Sequence, residues 1–123
     1  MRHYKLVVYT KPVAGRDQEY NDWYENTHLS DLVAIPGINS AQRFRLAKSL
    51  SPETSLPFLA IYDIETDDID GVIAEMKRLS GTEAMTISDA LDKNASAMVF
   101  EEFGSFVAAR KPNDRSHELL KHS

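Results

Sequence analysis

The chain has 123 residues, no cysteine and a formal net charge of −5. That length holds one domain with a real core but not two, and the lack of cysteine excludes disulfide frameworks, thiolate metal sites and cysteine nucleophiles. The basic residues are dispersed, without the electrostatic footprint of a nucleic-acid binder; with no leader-like start and no apolar run of membrane-spanning length, a cytoplasmic protein away from membranes is expected.

His3 to Thr10 is a β-branched and aromatic run that predicts a first strand, ended by Lys11-Pro12. After the turn Ala14-Gly15-Arg16, Asp17 is placed to cap a helix that reaches about Ala34 and is closed by Pro36-Gly37. Helical positions three and four apart share a face, which aligns Tyr20, Tyr24, His28 and Asp31 in one stripe, flanked by Trp23, Thr27 and Leu32. A core-facing stripe should be apolar. Burying phenols, an imidazole and a carboxylate is costly unless each finds a partner, so the stripe predicts either a hydrogen-bonded network or a lined pocket. A break at Leu29, with Ser30-Asp31 capping a fresh turn, would point Asp31 elsewhere.

Residues 38 to 48 alternate as a second strand, with Ile38, Ser40, Gln42, Phe44 and Leu46 on one side and Ala41, Arg43 and Arg45 on the other. A polar loop from Ser49 to Ser55 leads to a third strand from about Pro57 to Glu65. Asp67 is the expected cap of an amphipathic helix whose core face carries Ile69, Val72, Ile73, Met76 and Leu79, stopped by Gly81. Residues 82 to 94 read as a short irregular helical piece anchored by Met85, Ile87 and Leu91, and Ser96 to Phe106 as a fourth strand interrupted by Gly104. Residues 1–110 are then a single domain and 111–123 a polar, flexible tail.

The order βαββαβ predicts an α+β, ferredoxin-like fold, a four-stranded antiparallel sheet with both helices on one face. The third strand is apolar on both sides, with Phe58, Ala60, Tyr62 and Ile64 opposite Leu59 and Ile61. Its uncovered face would leave an apolar patch of roughly several hundred Å², more than monomers tolerate; a homodimer joined through the sheet faces is the expected cover. Arg43 and Arg45, opposite Phe44, are expected at that interface, with a substrate carboxylate on Arg43 as the lesser alternative.

The pattern Tyr20-x-x-Trp23-Tyr24-x-x-x-His28-Leu29, followed by Leu32, Pro36-Gly37 and Gln42-Arg43-Phe44, resembles the EthD-like branch of the dimeric α+β-barrel superfamily. The likeness is firmest over residues 3 to 65. Ser30 stands where related sequences often carry proline, two places after the histidine. The resemblance implies a dimeric α+β barrel with a pocket between the first helix and the sheet of each subunit. The superfamily holds lactone isomerases, polyketide cyclases, cofactor-independent monooxygenases and, on longer chains, haem enzymes, so fold alone does not name a reaction.

His28 is the expected general acid or base on a small aromatic or lactone substrate, with Asp31 orienting it and Tyr24 hydrogen-bonding a substrate oxygen. The structural alternative is a histidine that caps a backbone carbonyl where the helix breaks. Tyr20, Trp23, Phe44 and Tyr62 are candidate walls of the substrate site, Tyr62 being first of all a core residue. No metal and no cofactor is expected: His28 and Asp31 have no third ligand on their helix face, no serine sits in a nucleophile-elbow pattern, and the glycines are scattered. Two functions follow, a cofactor-free isomerase, cyclase or lyase (or a cofactor-free monooxygenase), and a non-catalytic metabolite-binding or accessory dimer of a catabolic pathway.

Overall fold

The computed structural model describes residues 1–52 and 56–110; the expected tail at 111–123 lies outside them. The elements are β1 (Arg2–Thr10), α1 (Asp17–Trp23), a π-helical turn (Tyr24–His28), α2 (Leu29–Val33), β2 (Ile38–Arg45), β3 (Phe58–Thr66), α3 (Ile69–Leu79) and β4 (Ser96–Glu101). The four strands form one sheet in the order β2-β3-β1-β4, every neighbouring pair antiparallel. Tyr20 of α1, Leu32 of α2 and Val72 of α3 share a core with Leu6 of β1 and Ala60 and Tyr62 of β3, so the helices cover one face. This is the α+β ferredoxin-like fold. No helix among the described residues is long and apolar enough to cross a membrane.

Alternation decides which side chains enter the core. In β1, Tyr4, Leu6 and Thr10 are buried while His3 and Lys5 are exposed on the other face. In β3, Ala60, Tyr62 and Ile64 are buried; Leu59, Ile61 and Asp63 alternate with them onto the open face. Gly37 makes the turn into β2 at φ 98°, and a Cβ there would stand 3.2 Å from Val72 Cγ2, so glycine fits on both counts.

Several expectations shift. Asp17 is the first helical residue, and Arg16 occupies the cap position without a side-chain bond. Asp68, not Asp67, caps α3 by accepting from the Gly71 amide at 2.9 Å. Residues 82 to 94 form no helix; they are held by bridges from Ser80 to Met85 and from Pro12 to Leu91. Met85 and Ala90 are fully packed there, but Ile87 is exposed. β4 ends at Glu101, ahead of Gly104.

Two one-residue irregularities reset the side-chain phase. The first helix does not break at Leu29: Leu29 is α-helical and its amide bonds to Tyr24 O, a five-residue reach. At about 100° per helical residue, Tyr20 and Asp31 would share a face and Leu32 would lie about 120° away. The extra residue absorbed by the wide turn reverses this, bringing His28 and Leu32 under Tyr20 and turning Asp31 aside. Leu32 is accordingly buried and Asp31 only half-buried. In β2, the pairing with β3 slips between Ile38 and Ser40, leaving a bulge at Asn39. Ile38 faces the core, but beyond the bulge the pattern inverts: Ala41 and Arg43 turn toward the helices, and Ser40, Gln42 and Phe44 toward the open face.

Candidate functional site

The π turn assembles an aromatic cluster around His28. The imidazole stacks on Trp23 with centroids 4.4 Å apart and planes 24° from parallel, and the Tyr24 ring meets it edge-on at 5.3 Å. Tyr24 in turn packs edge-on against Tyr20 at 5.3 Å. The Trp23 indole N–H donates to Thr86 O at 3.0 Å, which ties the segment after α3 to this helix and so sets one wall of the space beside His28.

That space is a cleft of about 230 Å³ between the helices and the sheet. Leu6, Val8, Leu32, Met76 and Met85 give it an apolar lining, and its polar residues are His28, Tyr62, Lys77 and Ser80. Of the residues expected at a substrate site, the cleft takes only His28 and Tyr62. Trp23 supports His28 from behind. Tyr20 and Tyr24 are buried in the core, and Tyr20 Oη is engaged with the buried Thr10 hydroxyl at 2.6 Å. Met76 and Met85 are expected from the sequence only as core and anchor residues, and Lys77 is not singled out at all; nothing local marks any of the three as a neighbour of His28.

Phe44 and Arg43 exchange places relative to expectation, because of the bulge. Phe44 stands on the open sheet face, 43% exposed, away from the cleft. Arg43 lies beneath the first helix, its side chain 10% exposed. Its guanidinium covers the rings of Tyr24, Tyr20 and Phe58 at 4.5, 5.2 and 5.4 Å and donates to Asn21 Oδ1 at 2.9 Å and Glu25 Oε1 at 3.3 Å. It is therefore not at the open face where a partner subunit was expected to meet it. Among the described residues no hydrogen bond or ion pair joins Asp31 to His28.

Burial alone lowers the His28 pKa to about 4, so the ring is neutral at physiological pH. Its Nδ1 is sealed from solvent without a hydrogen-bond partner, which leaves Nε2 as the nitrogen open to a molecule in the cleft. Burial also pushes the phenols of Tyr62 and Tyr24 up, keeping both protonated. A larger groove of about 450 Å³ lies on the open sheet face; Lys5 and Asp63 are paired there and His3 lies 3.3 Å from Glu65, while Glu101 and Glu102 add acidic groups to its rim. Uncommitted polar groups in an apolar setting mark the smaller cleft as the candidate site. Among the described residues no group of three or more His, Asp or Glu is placed to hold a metal ion.

The site is a histidine-bearing cleft under the first helix of an α+β sheet. The fold is shared with an ethyl tert-butyl ether D (EthD) family protein from Bacillus halodurans C-125, at 19% identity and a TM-score of 0.55 over 84% of this chain and all of that one. It is shared also with a protein from Shewanella loihica PV-4, provisionally named a monooxygenase, at 13% identity and a TM-score of 0.56 over 85% of this chain and 99% of that one. The EthD-like resemblance of the sequence thus holds at the level of the fold. No family model and no curated protein sequence matches the chain.

Proposed function

We propose that this chain is a cofactor-independent enzyme that moves a proton on a small apolar substrate, an isomerase, cyclase or lyase, with His28 as the base and conjugate acid. The carrying observation is a neutral imidazole with no committed nitrogen in an apolar cleft. Nε2 would accept a proton from the substrate, the bonding pair would move onto a conjugated carbonyl oxygen, and the proton would return to a different atom. Efficient proton transfer matches the strengths of the two groups. A base with a pKa of about 4 suits an already acidic proton, flanked by two carbonyls or on an enol, rather than an ordinary carbon acid. Trp23 and Tyr24 orient the ring by packing, the part expected of Asp31.

The assembly we propose is a homodimer through the open sheet faces, where Phe44, Met98 and Phe100 are exposed. A second reading, a metabolite-binding dimer without chemistry, is favoured by the absence of a hydrogen bond orienting His28, since catalytic bases are normally held by a third group.

The test is exchange of the acidic C–H of a panel of small β-keto lactones and 1,3-diketones in D2O, followed by NMR. The enzyme reading expects acceleration over buffer that His28→Gln lowers by about 100- to 10,000-fold with the circular-dichroism spectrum unchanged. Binding with no acceleration by the wild type establishes the second reading instead.

A further inference from the structure

One cation stands at the edge of the apolar cleft. Lys77, in the last turn of α3, lines it together with His28 and Tyr62. Among the described residues Lys77 has no carboxylate partner, whereas Arg78 beside it is held by Glu75 at 2.5 Å. Arg2, Lys5, Arg16 and Arg43 are each matched to an acid as well. Lys11, Arg45, Lys48 and Lys93 are, like Lys77, without an ion pair among the described residues, but of these cations Lys77 alone lines the cleft. In a chain with a net charge of −5, carboxylates are not scarce. A lysine near a helix C-terminus complements the helix dipole wherever it points; that role does not require it to border the cleft. The open nitrogen of His28 joins it, giving an ammonium and an imidazole on one apolar cleft; the buried Tyr62 phenol also lines the cleft but interacts with Tyr24, Tyr20 and Arg43.

The volume of the cleft restricts what could use them. About 230 Å³ falls below the roughly 300 to 1,000 Å³ of sites that hold drug-sized ligands, so the occupant is small. Recognition of a phosphate draws on several donors, backbone amides or a guanidinium fork; one ammonium suits a singly charged oxygen group. We propose that the cleft selects a small anion with an apolar body, its charged oxygen at Lys77, its body against Leu6, Val8, Met76 and Met85, and its reacting edge at His28. This rests on the proposed function and names the substrate class of the same site. Lys77 is then the residue that chooses anionic over neutral substrates, because a charge beside low-dielectric walls acts more strongly than one in open water.

The experiment is isothermal titration of the full chain with 2-naphthoate and with its neutral isostere 2-naphthamide, alongside NMR of the imidazole signal that His28→Gln removes. The naphthoate should bind about two- to fivefold more tightly than the amide and shift the His28 signal. Lys77→Met, at an exposed position that does not endanger the fold, should abolish the difference, and Lys77→Arg should keep most of it. Equal binding of the two probes, or a preference that survives Lys77→Met, overturns the anion selection; if both probes still shift the His28 signal, the reading of the cleft as the functional site stands. Failure of both to bind at millimolar concentration removes the cleft as a site for small apolar-bodied compounds, and this inference with it.

Discussion

His28 and Arg43 show the same physics with opposite outcomes. Burial makes His28 hard to protonate until about pH 4, while in the unfolded chain it takes up a proton near 6.5. Between those values the unfolded state binds more protons, so stability must fall as pH drops through that window. The loss attributable to His28 should reach roughly 2 to 3 kcal/mol, reduced where water touches the ring edge. Urea midpoints for the wild type and His28→Gln, compared at pH 7.5 and 4.5, should show a steeper decline in the wild type. A parallel decline would remove the burial argument. Arg43, by contrast, is buried with its guanidinium met by an acid, an amide and aromatic faces. Arg43→Met keeps the stem but loses those contacts, and should cost roughly 1 to 3 kcal/mol in the same measurement. An unaltered midpoint would mean that the guanidinium merely rests on the rings.

At the scale of the element, the π turn does what a regular helix could not. Removing its extra residue should restore an α-helix while leaving both flanks on their faces. Deleting Asn26, which is exposed, should therefore leave Tyr20, Leu32 and the fold in place, with a Tm within a few degrees. Exchange activity should be lost, because His28 would no longer meet Trp23 face to face. Global unfolding of this variant would contradict the account of the turn. The helix and strand order was legible because alternation and the 3.6-residue period follow from burial on one face. The site was less so. Its clue lay in the run Tyr20, Tyr24, His28, Leu32, spaced by four at every step and so wider than an α-helix can keep on one face. The bulge at Asn39 left a weaker sign, since an uninterrupted alternation after Ile38 buries Ser40 and Gln42. Nothing local announces Lys77, because its nearness to His28 is made by the packing of α3 on the sheet.

For the whole molecule the open face of the sheet is the largest unresolved account. Phe44, Met98 and Phe100 are exposed there, and Val7, Leu59 and Ile61 are only half-covered. A homodimer would cover them, and sedimentation at micromolar concentration should give twice the mass of the chain. Met98→Glu, which places a charge on that face, should shift the population to monomer without touching the helix-side core. A wild-type monomer would leave the apolar face without a cover and refute the assembly. The open sheet face and the cleft lie on opposite sides of the sheet, so the Met98→Glu variant should retain ligand binding.

The stack of Trp23 on His28 has a use beyond holding the ring. Trp23 is the only tryptophan in the sequence, and its indole lies against the one imidazole in the cleft. Light absorbed at the red edge of the ultraviolet band, where tyrosine is transparent, is therefore taken up at a single place in the molecule. Charge arriving on the imidazole, or a ring sliding into the cleft, perturbs that excited state directly. The protein carries its own optical label at the site of interest, with no probe to attach and no background from the rest of the chain.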